Sequence, residues 1–309
     1  MSQMSNAAVR VIDPVLSTHA QGYSQQKLVG HLLFPRVGVP QRGGQVIEFG
    51  KESFILYNSQ RAPGTNTKRI QFGYLGKPYA LANHSLEGVV PREHVGEAAV
   101  PGIKLGQRAV NNVMSSMLLT VEFEQAQLAR NPALYPAGQK VDLSAAKWSN
   151  PANNPTTDIE TGKEAVRASI GMYPNRIVLS AKAFAAAKNN PNVKDNFKYT
   201  SSQSITAEML AALWDVETVE VGKAVVADAQ GVFSDVWGTD VVMAYAADVS
   251  GDVNAEQPSF GYTYTLDGNP LVEESYYDNS AKSWVYPVTY ERAPVLSGIT
   301  AGYLLQNVA

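Results

Sequence analysis

The chain has 309 residues, 45% of them apolar and 17% charged, which is the balance of a folded protein rather than a disordered one. A net charge of −3 argues against a protein that coats nucleic acid through many cationic contacts, and the lack of any cysteine excludes disulfides, thiolate metal sites and cysteine nucleophiles. No apolar run approaches the roughly 18 residues of a membrane helix, and MSQMSNAAVRVIDP has neither the basic nor the apolar region of a secretory signal, so a soluble protein made in a cytoplasm is expected.

The charge is unevenly spread. Residues 1–100 hold 10 Lys+Arg against 6 Asp+Glu, net +4, whereas residues 101–309 hold 15 against 22, net −7. Two readings stand: attraction between copies, or scattered solvated charge.

Residues 1–43 show no sustained period, and RVGVPQRGG at 36–44 is a string of turn formers. This reads either as an arm lying on another surface or as a partly ordered terminus. Residues 45–81 suggest two strands. Val46, Glu48, Phe49, Phe54, Ile55 and Tyr57 form the first, and Ile70, Phe72, Tyr74 and Leu75 the second. Between them Pro63-Gly64 marks a turn, and the tip carries Arg61, Lys68 and Arg69 with no acid among them. A hairpin this long is only marginally stable alone in water, so it needs a surface, either its own body or a neighbouring subunit.

Residues 103–130 are the strongest helical segment. Val110, Val113, Met114, Met117 and Val121 form an apolar stripe, with Asn111, Asn112, Ser115, Ser116, Glu122 and Gln125 placed largely off it. Asn131-Pro132 ends the segment. Such a helix packs on a core.

After a polar passage at 147–155, Thr157 or Asp158 is expected to cap a helix carrying Ile159, Val166 and Ile170 and closed by Gly171. Ile177, Val178 and Leu179 read as a strand covered on both faces. Ser180 caps the helix that follows, and Asn189-Asn190-Pro191 stops it. Past a polar loop, Thr206 caps a second helix with Met209, Leu210 and Leu213 on its apolar face. Strand-like runs at 218–221, 224–227 and 241–246 complete an α/β lobe. In the tail, 260–266 (FGYTYTL) alternates with period two, and Asp267-Gly268 is the favoured hairpin turn leading to a return strand at 271–277. A further strand pair is expected at 283–291 and 295–305.

Motifs for chemistry are missing. His19, His31, His84 and His94 form no zinc-ligand spacing, and neither GxGxxG after a strand nor GxxxxGK[ST] occurs. Residues 252–256 lack the glycine and glutamate of a calcium loop. Ser180-Ala-Lys182 is one residue short of S-x-x-K, so Ser180 reads as a helix cap rather than a nucleophile. Catalytic, cofactor and metal sites are therefore all expected to be absent, with a hydrolase of unseen site as the distant alternative.

"MYPNRIVLSAKAFAAAKNNPNVKD", "ITAEMLAALWDVETVEVGKAVV", "VWGTDVVMAYA" and "YTLDGNPLVEESYYDNSAKSWVYPVTYERAPVL" together resemble segments of the major capsid proteins of tailed double-stranded-DNA bacteriophages. The resemblance is most specific over 170–305. It implies an α+β fold of the Hong Kong 97 type. The expected parts are an N-terminal arm (1–43), an extended β-hairpin loop (44–88), a peripheral domain (89–154) with a spine helix at 103–130, an axial α/β domain (155–257) and a C-terminal β element of the peripheral domain (258–309). The implied function is a non-enzymatic shell protein of the virion, made in the host cytoplasm, that assembles with itself as hexamers and pentamers around double-stranded DNA. The DNA meets the inner face without sequence-specific binding, and no membrane is involved. Further implied partners are a separate scaffolding protein, a portal and, in some members, decoration proteins. Arg61, Lys68 and Arg69 become the expected inter-subunit contacts, and Lys68 lies where some members form a crosslink. The alternative is an encapsulin nanocompartment shell.

Overall fold

A computed structural model describes residues 16–17, 20, 28–48, 60, 75–99, 104–198, 204–248 and 259–309. The fold is α+β, with two main sheets and one long helix between them.

The helix, Leu105–Ala129, falls within the expected segment, and its stripe is buried as the period requires. Val110, Val113, Met114, Met117 and Val121 form one core with Val272, Val288 and Tyr290 of the sheet beneath. The last two turns depart from the reading. Glu122 and Gln125, placed off the stripe, are buried at 1% and 3% exposure. Position 125 continues the stripe one turn beyond Val121, so the geometry of the helix overrides the polarity of the residue.

The sheet under the helix is organised by one long strand, Ser283–Leu296. On one edge it pairs antiparallel with Ala82–Pro91, from Ser283 opposite Pro91 to Arg292 opposite Ala82. The other edge takes three successive pieces: Gly261–Leu266, Leu271–Val272 and Tyr276–Asp278. This corrects the tail. Asp267-Gly268 does not join two paired strands, because the pieces on either side of it both pair with the long strand. Residues 261–278 act as one interrupted strand, and the reversal comes at 278–283, where Asp278 Oδ1 accepts from the backbone N–H of Ser280 and Ala281. The local turn signal was real, with Gly268 at φ +82, but the longer ladder decided the pairing. The strand expected at 260–266 forms as Gly261–Leu266, with both faces covered, since Gly261 through Thr265 are all buried. A parallel strand, Arg36–Val39, covers the free edge of this segment.

The second sheet has five strands in the order Lys140–Asp142, Gly302–Gln306, Val241–Ala244, Arg176–Ser180 and Thr218–Gly222. The expected pairing of 283–291 with 295–305 is therefore wrong. The long strand runs on to Leu296, and after a single 3-10 turn the chain enters the other sheet. This sheet also takes strands from before residue 155 and after residue 257, so the sheets do not follow those boundaries.

The run Ile177-Val178-Leu179 feeds two cores. Ile177 and Leu179 face a core with Trp148, Trp214 and Ile159, while Val178 faces one with Trp237, Phe34, Ala126 and Ala129. Burial on both faces is what selects an unbroken apolar run over an alternating one. Residues 28–39 belong to the 1–43 segment, read from sequence either as an arm on another surface or as a partly ordered terminus, and they pack into this chain's own body. Gly30–Leu33 forms a short helix, and Leu33 and Phe34 are wholly buried in the second core.

Side-chain caps fix the starts of four described helices. Helix Pro155–Ile170 is capped by Asn154, not by Thr157 or Asp158, and its side chain accepts from Thr156 N. Asp158 instead accepts from the Trp148 indole at 2.7 Å. Gly171 closes the helix at φ 76, a conformation costly for other residues. Ser180 caps Ala181–Asn189 and Thr206 caps Ala207–Trp214 as expected. Asn190 was read only as a stop. It also caps a further helix, Pro191–Asn196, and its amide donates to the carbonyls of Trp148 and Asn153.

Candidate functional site

Arg61, Lys68 and Arg69, the expected contacts between copies, lie outside the described residues. The ribbon on either side of them is described in part: Gly43–Glu48 pairs antiparallel with Leu75–Ala80, and of the expected 70–75 run only Leu75 lies within the described residues. Three contacts fix this ribbon to the body. Val46 is buried with Val37, Val39, Tyr262 and Tyr264. The Tyr79 ring stacks on Tyr264 with centroids 4.2 Å apart. Arg42 donates through Nε and Nη2 to both oxygens of Glu291, at 2.5 and 2.8 Å. A fork-to-carboxylate pair fixes orientation as well as distance. Residues 43–48 and 75–80 are thus anchored to the body.

A second constellation joins the first residues of the body to the long helix and the five-stranded sheet. The buried Glu122 carboxylate accepts from Val29 N at 3.0 Å, Gly30 N at 2.7 Å and Trp237 Nε1 at 2.7 Å. Gln125 Nε2 donates to Thr263 Oγ1, which donates to the Phe34 carbonyl. Gly30 is needed for this approach, because a Cβ there would stand 2.2 Å from Gln125 Oε1 and 2.8 Å from Glu122 Oε2. One turn and a half later, Arg130 Nε donates to Asp240 Oδ2 at 2.7 Å and Nη1 to the Val236 carbonyl. Arg292, buried on the long strand, bonds Glu124 and lies over the Tyr290 ring. His84, on the neighbouring strand, is held below its ordinary pKa by burial first and by Arg292 second, with Glu124 opposing. Sequence pattern misses these joints because each pairs residues far apart in the chain. The one local signal is that Glu122 and Gln125 continue an apolar stripe.

The exposed apolar side chains include two groups that lie on neighbouring strands. On the small ribbon formed by Val225–Ala227 and Phe233–Asp235, Val225, Val232 and Phe233 are exposed, Phe233 by 72%. Around the long strand, Leu86, Val89, Tyr276 and Trp284 are exposed.

The residues weighed for catalysis are not assembled for it. Ser180 is fully buried, and its Oγ accepts from Ala183 N at 3.2 Å. Lys182 Nζ lies 3.0 Å from Asp235 in an exposed ion pair. Among the described residues, no three His, Asp or Glu side chains gather as metal ligands. Ser180→Ala is expected to cost about 0.5–2 kcal/mol through the lost cap, measured as a lower denaturation midpoint. Unchanged stability together with loss of an esterase or peptidase activity would make Ser180 a nucleophile instead.

The sequence profile of the family described as phage major capsid protein E matches residues 135–281. A curated relative, the major capsid protein of Burkholderia phage BcepMu, is 35% identical over 304 residues, covering 97% of each chain. A phage-related protein from Bordetella bronchiseptica RB50, known from its crystal structure, is 52% identical with a TM-score of 0.85, covering 97% of this chain and 98% of its own. A virus-like particle from Pyrococcus furiosus has a TM-score of 0.54 at 11% identity, covering 94% and 97%, and this likeness speaks to the fold alone.

Proposed function

The chain belongs to the major capsid proteins of phages, and on that premise we propose that it works as a closed icosahedral shell around double-stranded DNA, held together in part by the basic hairpin tip. The observation that carries this reading is the 35% identity to a phage major capsid protein over 97% of both chains. The Hong Kong 97-type fold by itself would not separate a phage capsid from an encapsulin. Identity at this level along the whole chain favours the capsid.

In this reading the protein is made in the host cytoplasm, has no enzymatic step of its own, and ends in the virion. It assembles as hexamers and pentamers with a separate scaffolding protein and a portal, and the extended loop, whose root is the ribbon of Gly43–Glu48 and Leu75–Ala80, carries contact to neighbouring copies. Arg61, Lys68 and Arg69 carry the electrostatic docking of the loop on a neighbour. The support is local: the tip is basic, its root is anchored, and residues 101–309 carry a net charge of −7 that a neighbouring copy can offer.

Negative-stain imaging of particles assembled with the scaffolding protein supplied tests the reading, with closed shells expected. Reversing Arg61, Lys68 and Arg69 together to glutamate is expected to leave the subunit folded, with an unchanged melting curve, and to abolish closed shells. Normal shells from that variant would rule out docking through the tip. Particles that enclose a protein cargo instead of DNA would overturn the capsid reading itself.

A further inference from the structure

We infer that the lysine-lined cleft between Lys188 and Lys198 on the five-stranded lobe is a contact site for the phosphate backbone of double-stranded DNA. The inference rests on the capsid reading, which supplies the polyanion, and adds where on the subunit it is met.

The cleft, of about 360 Å³, is lined by Lys188, Lys194 and Lys198 together with Asn189, Phe197 and Ile205. Lys194 and Lys198 are exposed and Lys188 is half-buried. Residues 181–198 contain 4 lysines and 1 acid, Asp195, a local excess of +3 within a region, 101–309, whose net is −7. Lys182, the fourth lysine, is taken up by Asp235 at 3.0 Å. Among the described residues, the other three have no ion-pair partner.

Helix ends account for part of this. Lys188 and Lys194 each sit in the last turn of a helix, where a cation complements the dipole. That explains each lysine singly and not the convergence of three on one cleft, since Lys198 lies beyond both helices.

The choice of lysine decides between partners. A neighbouring subunit is the rival occupant, but lysine is depleted at protein–protein contacts, where its long stem must be immobilised. Fixed carboxylate partners favour the planar fork of arginine. Three flexible point charges suit instead a repeating phosphate backbone, whose register against the protein varies. Each neutralised phosphate releases condensed counterions, and this release drives such binding.

The test measures binding of a fluorescent duplex of random sequence to the dissociated full-length subunit as a function of salt. Each lost phosphate contact makes the slope of log K against log salt shallower by about 0.9, so between about 25 and about 100 mM salt the wild type is expected to lose about 40-fold more affinity than Lys188→Gln/Lys194→Gln/Lys198→Gln. The control is Lys104→Gln/Lys223→Gln/Lys282→Gln, which removes the same charge from other surfaces and is expected to keep the wild-type slope. Equal slopes in all three proteins overturn the proposal, as does an equal change in both variants, which would report net charge alone. Imaging the same proteins separates the two readings. Loss of shells in the cleft variant alone makes the cleft a contact between copies and overturns the proposal. A wild type that forms no shells even with the scaffolding protein supplied brings down the capsid reading from which it starts.

Discussion

Glu122→Ala is expected to abolish cooperative folding or to lower stability by several kcal/mol. The substitution removes one acceptor and strands three donors, the Val29 and Gly30 backbone N–H groups and the Trp237 indole, in a region where Trp237 is 1% exposed. Each unsatisfied buried donor costs about 1–3 kcal/mol, against a total stability of about 5–15 kcal/mol for a domain. The three costs are not additive, because the first residues of the body can detach together and let water reach them. Detachment would still uncover Leu33 and Phe34, both wholly buried, and open the core they share with Ala126, Ala129 and Val242. Glu122→Gln separates the contributions. It keeps the volume and one acceptor oxygen but turns an amide toward one of the donors, so its denaturation midpoint should fall between wild type and alanine. An alanine variant within about 1 kcal/mol of wild type, less than one stranded donor costs, would mean that this joint does not hold the body together.

The features that could be read from sequence were local ones. Ser180 and Thr206 announce themselves as caps because the signal is one side chain and an N–H three residues on. The long helix announces itself because its stripe from Val110 to Val121 repeats over several turns. The double coverage of Ile177-Val178-Leu179 follows from an apolar run without alternation. What escaped was pairing at a distance. Nothing near Ala82–Pro91 says that it lies along Ser283–Leu296, about two-thirds of the chain away. Asp267-Gly268 illustrates the hazard, since the dipeptide makes its turn and the strands beside it choose another partner.

Polar residues inside the body were the other blind spot. Thr263 and Thr265 sit in a strand whose sequence alternates with period two, yet both are buried, with the long helix reaching Thr263 through Gln125 and Arg36–Val39 closing the edge. Thr263 finds its partners in Gln125 and the Phe34 carbonyl, which lie more than a hundred residues away in sequence. For the site the contrast is sharper. The basic tip could be read directly as charge, whereas the anchors at its root, Arg42 with Glu291 and Tyr79 with Tyr264, depend on tertiary contacts. A cluster of like charges is local and therefore legible in a sequence, whereas the joints that hold an element in place are built from the fold and are not.

Met117→Lys is expected to prevent folding, and Asn112→Lys to leave the subunit soluble and folded. Met117 is 2% exposed and lies in mid-stripe, packed in the core that includes Val272, Val288 and Tyr290 of the sheet beneath. An ammonium there gives up its hydration without a built partner, a cost of at least several kcal/mol that the lost methionine packing increases. The lysine stem is flexible, so partial escape toward solvent is the main way to reduce this cost. Tyr286, Tyr290 and Val288 stand on the helix side of the sheet and leave escape only by prying helix and sheet apart. Asn112 is on the exposed side of the same helix, five residues earlier, and a lysine there meets water at once. The two variants carry the same charge change on one helix, so a net-charge effect cancels between them. Soluble yield and melting midpoint of the pair decide the matter: similar values for both would mean that the stripe from Val110 to Val121 does not face the long-strand sheet.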